Sequence, residues 1–400
     1  MFLQSQNTSQ KEKYYELLQI VGGLSNLFSD STVPYLYYRA AENIFCKAFE
    51  ADNLSRSDCS ADARKEMLGI GLKTFLNVNG KTYQKVAEFN RERSLYTGEE
   101  KLTSGNVENL VKTVAELRNK RIESTQRIHN LDKMIYHCVS RTDKQFLIFE
   151  ESMDLVNVDK ITKIANKNNS ITFEDGLHEY NFNLSKSTLL KRFYTPKNPQ
   201  VISVDIIKNP FDLLDDMFKK YRLEITSLEK ENSKYEFVIL PLYSARTGKV
   251  EERSGLNQWN ANGRARNDDE IYIPIPSWIH KVYPEFFPVV DKSFNLILPN
   301  KSILSAKVCQ NYFTQIDGEK INKGKSIMSN PNTALGKWLL RDVLKIPYKQ
   351  VVQMDDLLGI GIDSVEMKKI DDMNFEINFK RQGSFEKFLL DSQEKSNKQK

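Results

Sequence analysis

Cysteine is scarce in this chain. The four present, Cys46, Cys59, Cys138 and Cys309, are scattered and form no Cys-x-x-Cys pair. That spacing argues against structural zinc and reads as free thiols in a reducing cytoplasm. Histidine is equally sparse. His129, His137, His178 and His280 stand apart, which excludes the clustered histidines of an HNH nuclease. His137-Cys-Val139 and His178-Glu-Tyr180 both lack the lysine of a phospholipase-D-type His-x-Lys site. There is no Gly-rich phosphate loop of the ATPase type and no Gly-x-Ser-x-Gly elbow. The longest apolar runs, such as residues 237–242, are far too short to cross a bilayer. The N-terminus lacks the apolar core of a signal peptide.

What remains is a mixed, mildly basic chain. Its 400 residues suggest two domains. Hydrophobic residues make up 40%, with a mean hydropathy of -0.52, as in soluble globular proteins. Fifty-eight Lys and Arg against 53 Asp and Glu give a net charge of +5. That charge permits a polyanionic partner without requiring one.

Tyr14, Leu17, Leu18, Val21, Leu24 and Leu27 recur at helical spacing and predict a helix over 10–27. Asp30 or Ser31 can cap a second helix, with Pro34 in its first turn and Glu42 further along. A strand over 67–76 follows. Asn79-Gly80 marks a tight turn, and 82–89 would be the second arm of a hairpin. Residues 104–135 read as one long charged helix, 145–150 as a strand, and 171–173 with 178–184 as a hairpin. A helical connector over 210–231 leads to a run of short strands at 235–243, 270–275, 294–298, 303–310, 365–370 and 374–380. A helix over 332–343 interrupts them. Residues 393–400 are polar and read as disordered.

The clearest chemistry lies between Asp58 and Leu76. Asp58 and Asp62 precede an apolar run in which Lys73 is embedded beside Leu72 and Phe75. A buried strand rarely keeps a lysine, because desolvating an ammonium is costly unless it is paired. Acids ahead of a strand with such a lysine suit a metal-dependent phosphodiesterase. The acids hold a divalent cation, and the lysine sits beside the attacked phosphate. The same residues also suit a plainer role, with Asp58 and Asp62 in turns or helix caps and Lys73 blunting an edge strand.

Together, Glu42, Asp58, Asp62, Lys73 and Glu88 resemble the PD-(D/E)xK nuclease superfamily, in which an acid precedes a strand carrying a second acid and a lysine two residues apart. Gly71-Leu72-Lys73 matches that second half, with Gly71 where the acid would be. The piece Gly69-Ile-Gly-Leu-Lys-Thr74 is similar to the corresponding strand of mismatch-repair-type and Sau-type nucleases. The resemblance implies that Asp62 (or Asp58) and Glu88 bind Mg2+, with Glu88 replacing the missing acid. It implies that Lys73 stabilises developing charge or orients the attacking water, and that Glu42 contacts a metal-bound water or a second metal.

Two loops mark the C-terminal half. Arg253-Ser-Gly-Leu-Asn-Gln-Trp-Asn-Ala-Asn-Gly-Arg-Ala-Arg266 is rich in the side chains that pair with base edges, Arg with guanine and Asn or Gln with adenine. The segment from Lys325 to Trp338 joins a strand to a helix that Asn332 or Thr333 can cap. Surface turns of ordinary proteins have this composition too. Ser254-Gly-Leu-Asn257, Arg264, Ile271-Tyr-Ile-Pro-Ile-Pro276, Phe286-Phe-Pro288, Ala306-Lys-Val-Cys-Gln310 and the Lys325–Gly336 stretch nevertheless resemble the C-terminal domain of NgoFVII-type restriction enzymes. That domain is similar to the DNA-binding pseudobarrel of plant transcription factors, whose two arms read the major groove. The resemblance puts Arg253, Asn257, Gln258, Trp259, Asn260, Arg264 and Arg266 on the first arm, and Ser329, Asn330, Asn332 and Lys337 on the second.

The expected architecture is an α/β (α+β) PD-(D/E)xK nuclease core over 1–200, a helical connector over 201–234, a mostly-β pseudobarrel over 235–385 and a polar tail over 386–400. The implied activity is that of a type II restriction endonuclease, cutting double-stranded DNA with Mg2+ in a prokaryotic cytoplasm beside a cognate DNA methyltransferase. Cutting a palindrome would need a homodimer, since one active site cuts one strand. Gly71 keeps a second reading open, a non-catalytic DNA-binding regulator with a degenerate nuclease core. A modification-dependent endonuclease is a third, for which Trp259 would have to join an aromatic cage.

Overall fold

The computed structural model describes residues 1–55, 58–90, 104–231, 236–316 and 319–398. The chain forms two compact units, one of residues 1–126 and 131–233, the other of 127–130 and 234–400.

The first unit opens with helices α1 (Phe2–Ser5), α2 (Thr8–Gly23) and α3 (Tyr38–Phe49). Strands β1 (Asp52–Asn53), β2 (Ala63–Lys65), β3 (Leu68–Leu76) and β4 (Lys81–Glu88) follow, then helix α4 (Ser104–His129). Strands β5 (Lys133–Thr142), β6 (Gln145–Ser152), β7 (Thr162–Lys167), β8 (Ser170–Glu174), β9 (Glu179–Asn183), β10 (Thr188–Tyr194) and β11 (Gln200–Ser203) lead to helix α5 (Pro210–Glu231). Asn7 caps α2 by accepting the Gln10 N–H at 2.8 Å. α3 starts later than the sequence pattern suggests. The Ser25 hydroxyl accepts the Tyr35 N–H at 2.7 Å, and Tyr37 is extended at the N-cap, so the segment after Pro34 enters the helix only at Tyr38.

The main sheet has the order β1-β2-β3-β5-β6-β11, with β3 and β5 parallel and the other pairs antiparallel. Ile70, Leu72, Ile135, Val139 and Ile148 cover one face and pack on Tyr14, Leu18, Phe45 and Phe49 of α2 and α3. Phe75, Met134, Tyr136, Cys138 and Phe149 cover the other and meet Ile122 of α4 and Phe193 of β10. A second sheet, β4-β10-β9-β8-β7, packs Ile171, Phe173, Phe182 and Leu189 against Val107, Leu110, Val111 and Val114 of α4.

Two expectations are corrected here. β4 does not pair with β3 as a hairpin. β3 has β2 on one edge and β5 on the other, so β4 joins β10 in the second sheet. The long helix does not run to Ile135. It ends at His129, Asn130 turns to a positive φ of 52°, and Met134 to Val139 form a buried strand.

The second unit holds β12 (Phe237–Pro241), β13 (Ile273–Pro274), α6 (Ile279–Val282), β14 (Ser293–Ile297), β15 (Ile303–Cys309), β16 (Phe313–Ile316), β17 (Glu319–Asn322) and β18 (Ser326–Ser329). They are followed by α7 (Ala334–Gly336), continued as a π-helix to Val343, then α8 (Met354–Gly359), β19 (Ile362–Lys369), β20 (Asn374–Arg381) and α9 (Ser384–Lys398). Seven strands form one sheet in the order β12-β19-β20-β14-β15-β18-β13. Its first and last strands approach each other, which makes a nearly closed barrel. Alternate residues such as Phe294, Leu296, Phe375, Ile377 and Phe379 fill the interior. The polar tail is also corrected. Phe385 and Phe388, three residues apart, share a face of α9 and join the barrel core; the helix runs to Lys398, and residues 399–400 of the expected tail lie outside the described residues.

A buried polar network anchors the start of the chain to the main sheet. His137 Nε2 lies 2.9 Å from Tyr14 Oη, and its Nδ1 lies 3.1 Å from Glu150 Oε1. Glu150 also accepts the Leu3 N–H at 2.9 Å. Burial alone would raise the Glu150 carboxyl, but hydrogen bonds from His137 and the backbone outweigh it and hold it below the ordinary carboxylate range. A depressed folded-state value stabilises the fold above the unfolded glutamate value, and that contribution is lost as pH falls through the folded one. Glu150→Gln should therefore cost about 2–4 kcal/mol at pH 7. In urea titrations over a pH series, the gap from the parent should close below the ordinary glutamate value.

Candidate active site and nucleic-acid interface

β2 pairs with β3 only as far as Ile70. Beyond it, Asp62 takes over the outer edge of β3. Its N–H donates to Ile70 O at 2.8 Å, and its carboxylate Oδ2 accepts the Leu72 N–H at 2.8 Å. A side chain thus supplies the next rung of the ladder and holds an acid at the peptide between Gly71 and Lys73. Glu42 approaches from α3. It is 4% exposed, and Arg39 Nη1 donates to its Oε2 at 2.9 Å. Burial first, then the charge of Asp62, push the Glu42 carboxyl above the ordinary range despite Arg39. Glu42 is thus paired with Arg39 and lies close enough to Asp62 to feel its charge, so two acids face each other across the edge of the sheet.

Lys73 lies on the opposite face of the sheet from α3. Its ammonium stands 5.7 Å from the centre of the Tyr136 ring. Lys191 of β10 stands 6.0 Å from the same ring and is ion-paired with Glu151. Arg118 donates to the Tyr136 hydroxyl at 3.3 Å. Burial raises the Cys138 thiol well above its usual value, Glu151 adds to the rise, and Lys73 and Lys191 oppose it, so all three charges lie round one sulfur. Arg118, Glu151 and Lys191 carry no signal in the sequence. Their elements are far apart in the chain, and only the packing of β6, β10 and α4 round Tyr136 and Cys138 brings them together.

The acids expected to form one metal site do not all come together. Asp58 sits in the exposed loop before β2 at a positive φ of 47°. Glu88 is on β4 in the second sheet, where Lys85 Nζ lies 3.0 Å from its Oε2 and Asn90 donates to its Oε1 at 2.6 Å. Among the described residues no three His, Cys, Asp or Glu side chains are grouped to hold a metal ion. Gly71 has a packing reason. A Cβ there would lie 2.7 Å from Met153 Cε and 3.1 Å from Tyr136 Cδ1, so those side chains fill the space an acid would need.

In the barrel unit the first arm is a closed loop whose polar groups mostly bind the loop itself. Asn257 is fully buried. Its Nδ2 donates to Glu251 O and Val352 O at 3.0 Å, and its Oδ1 accepts the Val352 N–H at 2.9 Å, so it braces the arm and has no edge left for a base. Asn260 donates to Glu252 O at 3.0 Å, and Arg266 donates to Ala261 O at 2.9 Å. Trp259 packs against the barrel core, and Gln258 is half-buried beside it. Arg253 and Arg264 are exposed. On the second arm Asn330 and Lys337 are exposed and Asn332 is half-buried. Ser329 is buried, and its hydroxyl accepts the Leu335 N–H at 2.8 Å in the place a helix cap would take.

The arms are locked to each other. Arg341 Nε donates to Asp269 Oδ1 at 2.7 Å and its Nη2 to Asp268 O at 2.9 Å. Gly336 lies so close that a Cβ would stand 1.9 Å from Asp269 O. A seven-stranded, nearly closed barrel carrying two such loops is consistent with the B3-like domain that the sequence comparison finds. Residues 227–371 match the NgoFVII C-terminal B3-like DNA-binding domain. The matched domain is described as a DNA-binding domain of a restriction enzyme, and the match falls almost wholly on the barrel unit. The chain matches no curated protein. No helix among the described residues is long and apolar enough to cross a membrane.

Two glycines test this geometry. Gly71→Asp should lower stability by about 1–3 kcal/mol, as overpacking does, read as a fall in melting temperature. Gly336→Ala should cost about 3 kcal/mol and weaken duplex binding, because the arms can no longer seat on each other. Thermal melts with fluorescence anisotropy on a duplex probe check both.

Proposed function

We propose that this chain is a type II restriction endonuclease whose first unit is a PD-(D/E)xK-like nuclease. In this reading the B3-like unit selects a site in double-stranded DNA, and the first unit hydrolyses the backbone to 5'-phosphate and 3'-hydroxyl ends. The observation that carries it is the Asp62 carboxylate bound at Leu72 N, one residue from Lys73, with Glu42 beside it.

Mg2+ commonly binds through one or two carboxylates, with phosphate and water filling the other positions. Glu42 and Asp62, close enough for the charge of one to raise the carboxyl of the other, fit that requirement as a pair, and they would hold the ion. When bound, it would polarise the scissile phosphate and lower the pKa of a bound water. Arg39 keeps Glu42 oriented. Lys73 offers its ammonium to a phosphate oxygen as charge develops. Glu88 is left out of this assignment, since it lies on the other sheet. Arg253, Arg264, Asn330 and Lys337 are the residues we assign to the DNA. Two copies would supply the two cuts a palindrome needs, and a cognate methyltransferase would protect the host's own sites.

Gly71, which stands where the superfamily has an acid and whose side-chain space Met153 and Tyr136 fill, favours one rival, a DNA-binding regulator with a decayed core. Incubation with plasmid separates the two. The nuclease reading predicts cleavage with Mg2+ and none with EDTA. Lys73→Ala and Asp62→Asn should each slow cutting at least about a hundredfold and leave duplex binding near the parent value. Normal cutting by Lys73→Ala would refute the assignment, and no cutting by the parent under any divalent ion would favour the regulator.

A further inference from the structure

Arg264 is the exposed guanidinium at the tip of the first arm, yet it is not loose. Its Nη2 lies 2.8 Å from Glu270 Oε2, with the arginine side chain 62% exposed and the glutamate 11%. Glu270 Oε1 accepts the Asn267 N–H at 3.3 Å, so one carboxylate closes the turn and holds the arginine. Its neighbour Asp269 is 2% exposed and bound by Arg341. A line of contacts therefore runs from the second arm through Arg341, Asp269 and Glu270 to Arg264.

From this, and resting on the sequence-reading role proposed above, we infer that Glu270 is a positioning residue that makes Arg264 a base reader, directed at guanine, and not a phosphate contact. Two physical effects act together. The carboxylate fixes one edge of a long side chain and leaves other N–H donors for the O6 and N7 of a guanine, so less rotamer freedom is lost on binding. It also makes the arm tip a neutral pair. A lone arginine near DNA displaces counterions and binds any sequence, whereas a neutralised one contributes little to that term. Arg253, exposed in the same loop, is left to supply charge to the backbone.

The test uses the full chain in EDTA and a pool of random duplexes 20 base pairs long. The parent should enrich a site in which one G·C pair loses its preference when Arg264 becomes Ala. Glu270→Ala should lose preference at that same pair, about tenfold, and keep it elsewhere. On random duplex, its slope of log affinity against log salt should steepen by about one ion. Glu270→Gln keeps the arm's volume and should steepen the slope equally. Retained preference at that pair would overturn the inference. So would an even loss at all positions with an unchanged salt slope, because Glu270 would then only brace the loop. If the parent enriches no sequence, the sequence-reading role itself fails, a result the slopes do not enter.

Discussion

The carboxylate of Asp62, bound to the backbone of Leu72, is the contact on which the outer edge of the first unit's main sheet depends. β2 is too short to cover β3 beyond Ile70, so the N–H of Leu72 would face outward without a strand partner. Asp62 satisfies it with a side chain, and in doing so fixes an acid at the edge of the sheet beside the one lysine the strand carries. Glu42 is drawn into the same place by Arg39 and kept out of water by α3. Gly71 belongs to this arrangement. Tyr136 and Met153 occupy the volume above it, and Tyr136 is the ring that both Lys73 and Lys191 approach.

The barrel unit solves a different problem with similar means. A long polar loop loses its freedom and keeps one geometry only when its own polar groups are tied down. Asn257, Asn260 and Arg266 remove that freedom by bonding to the loop's own carbonyls, and Arg341 fastens the loop to the helix of the second arm. Only a few side chains remain outward. Polar residues in such a loop thus divide into those that hold its shape and those that face the partner.

Much of this is legible in the sequence where a single residue's chemistry is local. The β3 strand and most of the barrel strands follow from alternation and turn residues, the two arms follow only from the resemblance to NgoFVII-type enzymes, and a lysine embedded in an apolar run singles out β3. Four features are not legible. β4 looks like a hairpin arm because Asn79-Gly80 signals one, but the competition for the edges of β3 is a tertiary fact. β5 is hidden at the end of a helical pattern whose break at Asn130 needs a left-handed residue that propensity alone does not demand. The composition of α9 is polar, and two phenylalanines outweigh it once the barrel offers a face. Asn257 has the chemistry of a base reader and the burial of a brace, a distinction only the fold makes. Asp62 can be named from its place ahead of the strand and Glu42 only from the resemblance, while the cations around Tyr136 come from three elements far apart in the chain.

The central proposal is that Glu42 and Asp62 together would form the seat of a divalent ion at the outer edge of β3. Anomalous diffraction from crystals soaked in manganese tests it most directly. The account predicts a peak between the two carboxylates, lost in Asp62→Asn crystals. A peak at Glu88 with nothing between Glu42 and Asp62, or no peak anywhere in the first unit, would contradict it.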